Sequence, residues 1–230
     1  MKISLKNRKI GYTHSSVSGS FPFRGEKSIS FESTLERDLL AILEYDPNVI
    51  DVVEQPVTIE YTNKNGRDAS YTPDFLVTYQ LAPSLYNKSL YRSLLIEVKP
   101  RAILKKKWAE LKPKFQIGTS YAKQEGWKFC IYDESRIRAD FLENIKFLKR
   151  YKNHRFDSVE EERIVNHVSD AVQIGIDNLL EFLYFKNEDK DIALKQVRHL
   201  ISKRILMCDM RMPLTSKTTI WVNEGIVGEF

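Results

Sequence analysis

The chain has 230 residues, enough for one large domain or for an ordinary domain with a small companion, and 42% of them are hydrophobic, which excludes a disordered polypeptide. No apolar run approaches the ~20 residues of a membrane span, and no stretch near the start reads as a signal-peptide core, so no membrane association is expected. The formal charge of +5 permits a nucleic-acid partner without requiring one, and two isolated cysteines, Cys130 and Cys208, give neither a zinc site nor a disulfide framework, which suits a reducing cytoplasm.

Residues 1–30 carry a basic, Ser-rich run and are expected to form a flexible arm. Ser33-Thr34-Leu35-Glu36 opens the first helix, with Leu35, Leu39, Ile42 and Leu43 on its apolar face and Asp46-Pro47-Asn48 as its stop. Ser33 and Glu36 have capping-box spacing, in which the glutamate serves only the helix start. Glu36 also borders the core face, where its carboxylate could point inward. Strands are predicted at Val49–Val53 and Val57–Tyr61, followed by a turn at Asn63–Gly66 and a returning strand through Tyr71–Tyr79. Within that strand Pro73 marks an edge or bulge, and Asp74 sits at the mouth of an apolar run.

Leu94–Pro100 is a strand with an anomaly. Alternation sends Leu94, Ile96 and Val98 to one face and Leu95, Glu97 and Lys99 to the other. A strand this apolar is expected to be buried on both faces, yet it places two charges side by side, roughly 6.5–7 Å apart along the chain. Either Pro100 ends the ladder at a solvated Glu–Lys pair, or the charges are buried with a purpose. From Lys99 to Lys114 there follow seven basic residues and one acid, Glu110. Arg101, Lys105, Lys106, Lys107 and Lys114 of this block are candidate contacts to a phosphate backbone, against the alternative of a solvated helix face.

Helices are expected at Ile103–Leu111 and Pro113–Gln124, a strand at Trp127–Tyr132 and a helix at Ala139–Tyr151, closing an α/β domain near residue 152. Beyond an acidic patch at Asp157–Glu162, helices at Val168–Phe185 and Asp191–Lys203 precede a hairpin of Ile205–Met210 and Thr218–Val222, an order that suggests a winged helix over residues 153–230. Gln55 reads as a turn residue or a site contact, with the structural role favoured, and Lys114 and Tyr121 lie on a helix that would face the site, with a solvated helix face favoured. The four histidines lack ligand spacing.

A glutamate on the first helix, Pro73-Asp74 at a strand mouth and Glu97-Val98-Lys99 on the next strand together resemble the PD-(D/E)XK nuclease superfamily. Phosphodiester hydrolysis needs carboxylates that converge on a hard cation and a positive charge beside the phosphate. The stretches Phe31–Asp38, Glu54-Gln55-Pro56, Tyr71–Val77 and Ile96–Pro100 further resemble TnsA-type endonucleases of heteromeric transposases. The resemblance implies a restriction-endonuclease-like core over residues 31–152, a mixed sheet flanked by helices, with a small winged-helix-like domain behind it. By position, Glu36, Asp74, Glu97 and the Val98 carbonyl would be metal ligands and Lys99 the catalytic lysine. The cofactor implied is Mg²⁺, with Mn²⁺ able to substitute. Double-stranded DNA at transposon ends, a TnsB-type recombinase and a TnsC-type AAA+ ATPase are the implied partners, and cutting of the 5′ strands the implied activity. A stand-alone restriction or repair nuclease and a non-catalytic DNA-binding adaptor are the alternatives. If the three carboxylates converge, their mutual repulsion is expected to raise the pKa of at least one of them.

Overall fold

The computed structural model describes residues 17–63, 65–80 and 93–223. They fall into two compact units, Met1–Arg138 and Ala139–Phe230. The division lies before the helix Asp140–Lys149, which the sequence assigned to the first domain with a boundary near residue 152.

The first unit is organised on a four-stranded mixed sheet in the order β3-β6-β7-β8: β3 (Val49–Glu54), β6 (Phe75–Tyr79), β7 (Ser93–Val98) and β8 (Lys128–Tyr132). β3, β6 and β7 run antiparallel, whereas β7 and β8 are parallel and are joined by the long helix α2 (Arg101–Gln124), as a parallel pair requires. Both faces are covered. Leu35, Leu39, Leu40 and Leu43 of α1 (Thr34–Tyr45) pack on Phe75, Val77, Ile96 and Val98, while Leu111, Phe115 and Ala122 of α2 cluster with Leu95. The alternation read along residues 94–98 is therefore the division between two cores.

Three elements differ from the sequence reading. The arm expected over residues 1–30 is, from Gly19 onward, an antiparallel hairpin of β1 (Gly19–Phe23) and β2 (Lys27–Phe31); residues 1–16 lie outside those described. Its turn places Arg24 and Gly25 at φ 53 and 74, and its inward residues Phe21, Phe23, Ile29 and Phe31 are buried with α1. The returning strand through Tyr71–Tyr79 is broken at Thr72-Pro73-Asp74. β5 (Asp68–Tyr71) pairs only with β4 (Ile59–Thr62) in a separate ribbon, and β6 belongs to the main sheet. Proline cannot donate to a ladder, so the chain changes sheets there. The two helices expected after Pro100 are one span with non-helical torsions at Lys107, upstream of Pro113, whose ring lacks the N–H that would reach the carbonyl of Ala109. The short helix α3 (Glu134–Ile137) completes the unit.

The second unit contains α4 (Asp140–Lys149), α5 (Ser158–Asp170), β9 (Ile174–Gly175), α6 (Ile176–Leu183), α7 (Asn187–Ser202), β10 (Leu206–Cys208) and β11 (Thr219–Val222), with strand order β10-β11-β9. The helix expected over Val168–Phe185 is interrupted, because Val172 adopts φ 64 and residues 174–175 pair with β11. The acidic patch at 157–162 is the cap and first turn of α5, where carboxylates favour the helix dipole. Buried Asn144 on α4 donates to the carbonyls of Met210 (3.0 Å) and Met212 (2.8 Å) and accepts from the amide of Leu214 (3.2 Å), so one side chain fixes the loop after β10. Among the described residues, no helix is long and apolar enough to cross a membrane.

Gly118 of α2 sits against two aromatic rings. A Cβ there would lie 2.9 Å from Cε1 of Tyr71 and 2.9 Å from Cε2 of Phe129. Gly118→Ala should gain about 1 kcal/mol of helix propensity and lose about 1–3 kcal/mol to overpacking. A net destabilisation on the order of 1 kcal/mol is expected in denaturant titration, and a variant more stable than wild type would mean that the rings yield freely.

Candidate active site

Asp74 closes the gap between the ribbon and the main sheet. One register step beyond the Phe75↔Ile96 pair brings it opposite Glu97, and its Oδ2 accepts the amide of Val98 at 2.6 Å. Its own carbonyl accepts the amide of Gln55 at 2.8 Å, so the residue is tied on both sides. Glu97 is 3% exposed on the α2 face of β7. Its Oε1 takes a 3.0 Å contact from Lys99 Nζ, and its Oε2 accepts the Tyr71 hydroxyl at 2.8 Å. Lys99 Nζ also lies 3.8 Å from Asp74 Oδ2, bridging the two carboxylates, while its backbone amide stays bonded to the carbonyl of Tyr132 (3.0 Å). Of the paired charges anticipated on this strand, Glu97 is buried and Lys99 is half-buried at its end, so the pair is not a freely solvated one.

Burial pushes the Asp74 carboxyl well above the usual carboxylate range, and the charge of Glu97 pushes it further. Lys99 and the Val98 amide offset part of this, and Glu36 adds to it. Repulsion is therefore the second cause and withdrawal from water the first. Burial alone would lower Lys99, but Asp74, Glu97 and Glu36 together lift its pKa above the ordinary lysine value. Burial and the neighbouring Glu97 likewise raise Tyr71, keeping its hydroxyl protonated as a donor.

Glu36 takes a different place. Its amide donates to Ser33 Oγ (3.1 Å), its Oε1 accepts the Ser33 hydroxyl (2.8 Å) and its Oε2 accepts the amide of Glu32 (2.8 Å). This is a variant of the capping box, in which the glutamate takes the Glu32 amide and the Ser33 hydroxyl in place of the Ser33 amide. α1 covers the face of the sheet opposite to the one carrying Glu97, so Glu36 reaches the cluster through its field rather than by contact. Burial raises its own carboxyl, while the Glu32 amide, the Ser33 hydroxyl and Lys99 pull it down. Among the described residues, no group of three His, Cys, Asp or Glu side chains is arranged to hold a metal ion.

Of the basic candidates, Lys105, Lys106 and Lys107 are exposed on α2, and Lys114 is half-buried. Arg101 pairs with Asp133 at 3.3 Å, and its amide is held by Glu134 Oε2 at 2.8 Å, so it also anchors the start of α2 to the end of β8. Tyr121 packs against Trp127, ring centroids 6.0 Å apart, as a core residue. Gln55 does more than turn the chain. At φ 44 it holds Asp74 through its backbone, and its Nε2 donates to Glu32 Oε1 at 3.1 Å. Tyr71 and Glu32 were missed in the sequence; a tyrosine two residues before Pro73 reads as an ordinary strand residue until its hydroxyl is seen on Glu97.

A mixed sheet flanked by helices, with two carboxylates and a lysine gathered at the ends of adjacent strands, defines a nuclease-like core. Residues 46–134 match the family described as TnsA-like endonuclease N terminal, so this part of the chain is similar to that endonuclease domain. The matched span takes in Asp74, Glu97 and Lys99 and begins after Glu36. No curated protein matches the chain.

The raised carboxyl has a consequence for stability. Folding favours the protonated Asp74, so the penalty for ionising it is absent below the ordinary Asp range, grows as pH rises through the elevated pKa and is complete above it. Asp74→Asn keeps an oxygen for the Val98 amide and carries no such penalty. In chelator-treated buffer this variant should melt higher than wild type at pH 8, with the gap closing as pH falls toward 4. Parallel melting curves across that range would contradict the assignment.

Proposed function

We propose that the protein is a metal-dependent DNA endonuclease that cleaves the 5′ strands at transposon ends, as the TnsA-type subunit of a heteromeric transposase. The observation that carries this reading is the partly buried Asp74–Glu97–Lys99 cluster, lying inside the span matched by the TnsA-like endonuclease family. Three carboxylates within electrostatic reach of one ammonium leave negative charge uncompensated, and their hard oxygens suit Mg²⁺, or Mn²⁺ in its place. Asp74 and Glu97, with the Val98 carbonyl, would hold the ion, and Glu36 would join them only by giving up part of its capping role. Bound there, the cation would polarise the scissile phosphate and acidify an attacking water. Lys99, whose proton is held by the surrounding carboxylates, acts toward a phosphate as a positive charge rather than as a base.

Charge divides the remaining work. α2 carries seven Lys and Arg against one acid, whereas α5, α6 and α7 together carry nine acids against four Lys and Arg. The first favours a phosphate backbone and the second disfavours one. Duplex DNA is accordingly assigned to the first unit, and protein partners, a TnsB-type recombinase and a TnsC-type ATPase, to the second. The helix, strand, helix, helix, strand, strand order beyond α4, with β9 joining β11, supports the winged-helix reading of residues 153–230.

Cleavage of end-labelled transposon DNA by the complete set of subunits tests the chemistry. Asp74→Ala and Lys99→Ala should each lose about 100-fold or more in rate while remaining folded. Activity near wild type in either variant removes the site assignment. For the interface, replacing Lys105, Lys106 and Lys107 together by alanine should weaken binding evenly across sequences. The slope of log affinity against log salt should fall by up to ~3. An unchanged slope would place the DNA elsewhere.

A further inference from the structure

The short segment Tyr71–Asp74 touches the end of β7 at both of its ends. Asp74 accepts the amide of Val98 at 2.6 Å, and the Tyr71 hydroxyl reaches Glu97 Oε2 at 2.8 Å. Tyr71 comes from β5, outside the sheet that holds Glu97 and that Asp74 immediately precedes. Its ring is 6% exposed, stands edge-on to Phe129 with centroids 6.4 Å apart, and rests on Gly118, where no side chain intrudes. Thr72, the next residue, is fixed to Thr58 by a 3.0 Å hydroxyl contact. The phenol is therefore locked by packing before its hydroxyl meets the carboxylate. A group held this rigidly sets the orientation of a flexible partner, rather than following it.

We infer that Tyr71 is a positioning residue for Glu97. By engaging Oε2 it turns Oε1 toward Lys99 and Asp74, and so presents one defined oxygen to the place where the cation is proposed to sit. The inference rests on the reading of Glu97 as a metal-holding carboxylate. A hydroxyl placed only for stability would have no bearing on cation affinity. Tyr71→Phe removes the hydroxyl alone and leaves the ring in its seat against Gly118 and Phe129.

The test compares the full chain as wild type, Tyr71→Phe, Glu97→Gln and the double variant. The readout is the melting temperature during Mn²⁺ titration without DNA, followed by the Mg²⁺ dependence of cleavage. Glu97→Gln should weaken the Mn²⁺ response, which checks the underlying reading separately. Tyr71→Phe should raise the Mn²⁺ midpoint about 10-fold, within the range known for groups that orient metal ligands. In the Glu97→Gln background the same change should have a much smaller effect, because the charged oxygen it selects is gone. The role of Tyr71 is overturned if Tyr71→Phe leaves the midpoint in place while Glu97→Gln moves it. An equal Tyr71→Phe shift with Gln at position 97 also overturns it, since the effect would then be general loosening. If Glu97→Gln itself leaves the midpoint unmoved, the reading of Glu97 fails and the role of Tyr71 falls with it.

Discussion

Two carboxylates and one ammonium are held at the ends of β6 and β7, where burial disfavours any isolated charge. The arrangement is tolerable because each charge is met by a specific partner: Asp74 by the Val98 amide, Glu97 by Lys99 and Tyr71, and Lys99 by both acids. Asp74 bears the cost: withdrawal from water raises its carboxyl first, and the neighbouring charge of Glu97 raises it further, against the partial relief from Lys99. Much of the first unit serves this constraint. The sheet supplies the strand ends, α2 and the β4/β5 ribbon cover Glu97, and α1 brings a further carboxylate into electrostatic reach from the opposite face.

The placement of α1 accounts for the behaviour of Glu36. A residue at position 36 must both start a helix and, in the nuclease reading, face the cluster. In the arrangement present the first demand is met, with three hydrogen bonds tying Glu36 to Ser33 and Glu32. Gln55 joins the two sides: its strained backbone holds Asp74, and its side chain holds Glu32, whose amide in turn binds Glu36. Strain of this kind persists where the surroundings over-determine a residue, and here they do so between the two carboxylate-bearing elements.

Much of the cluster was legible from the sequence because it violates a local rule. Glu97 and Lys99 break the alternation of an otherwise buried strand, and Asp74 follows a proline at the mouth of another, so patterning alone drew attention to them. Tyr71 obeys every local rule, and the partner that gives it meaning lies 26 residues away, so nothing nearby revealed it. The β1/β2 hairpin was hidden because Pro22 and polar neighbours interrupt its alternation of Phe21 and Phe23. The division at Thr72-Pro73-Asp74 was hidden because periodicity cannot tell a bulged strand from two strands in different sheets. The break between α5 and α6 depends on a left-handed Val172, a conformation that tertiary contacts rather than propensity select.

The bend at Lys107 divides α2 into parts with different duties. Lys105, Lys106 and Lys107 stand exposed up to the bend, while Leu111, Phe115 and Gly118 beyond it form the bed of the aromatic cluster that seats Tyr71. A straight rod would transmit a pull on its first turns along its whole length into that bed. An articulated one would take up such a pull at the joint, before it reached the bed that seats Tyr71 about three turns further on.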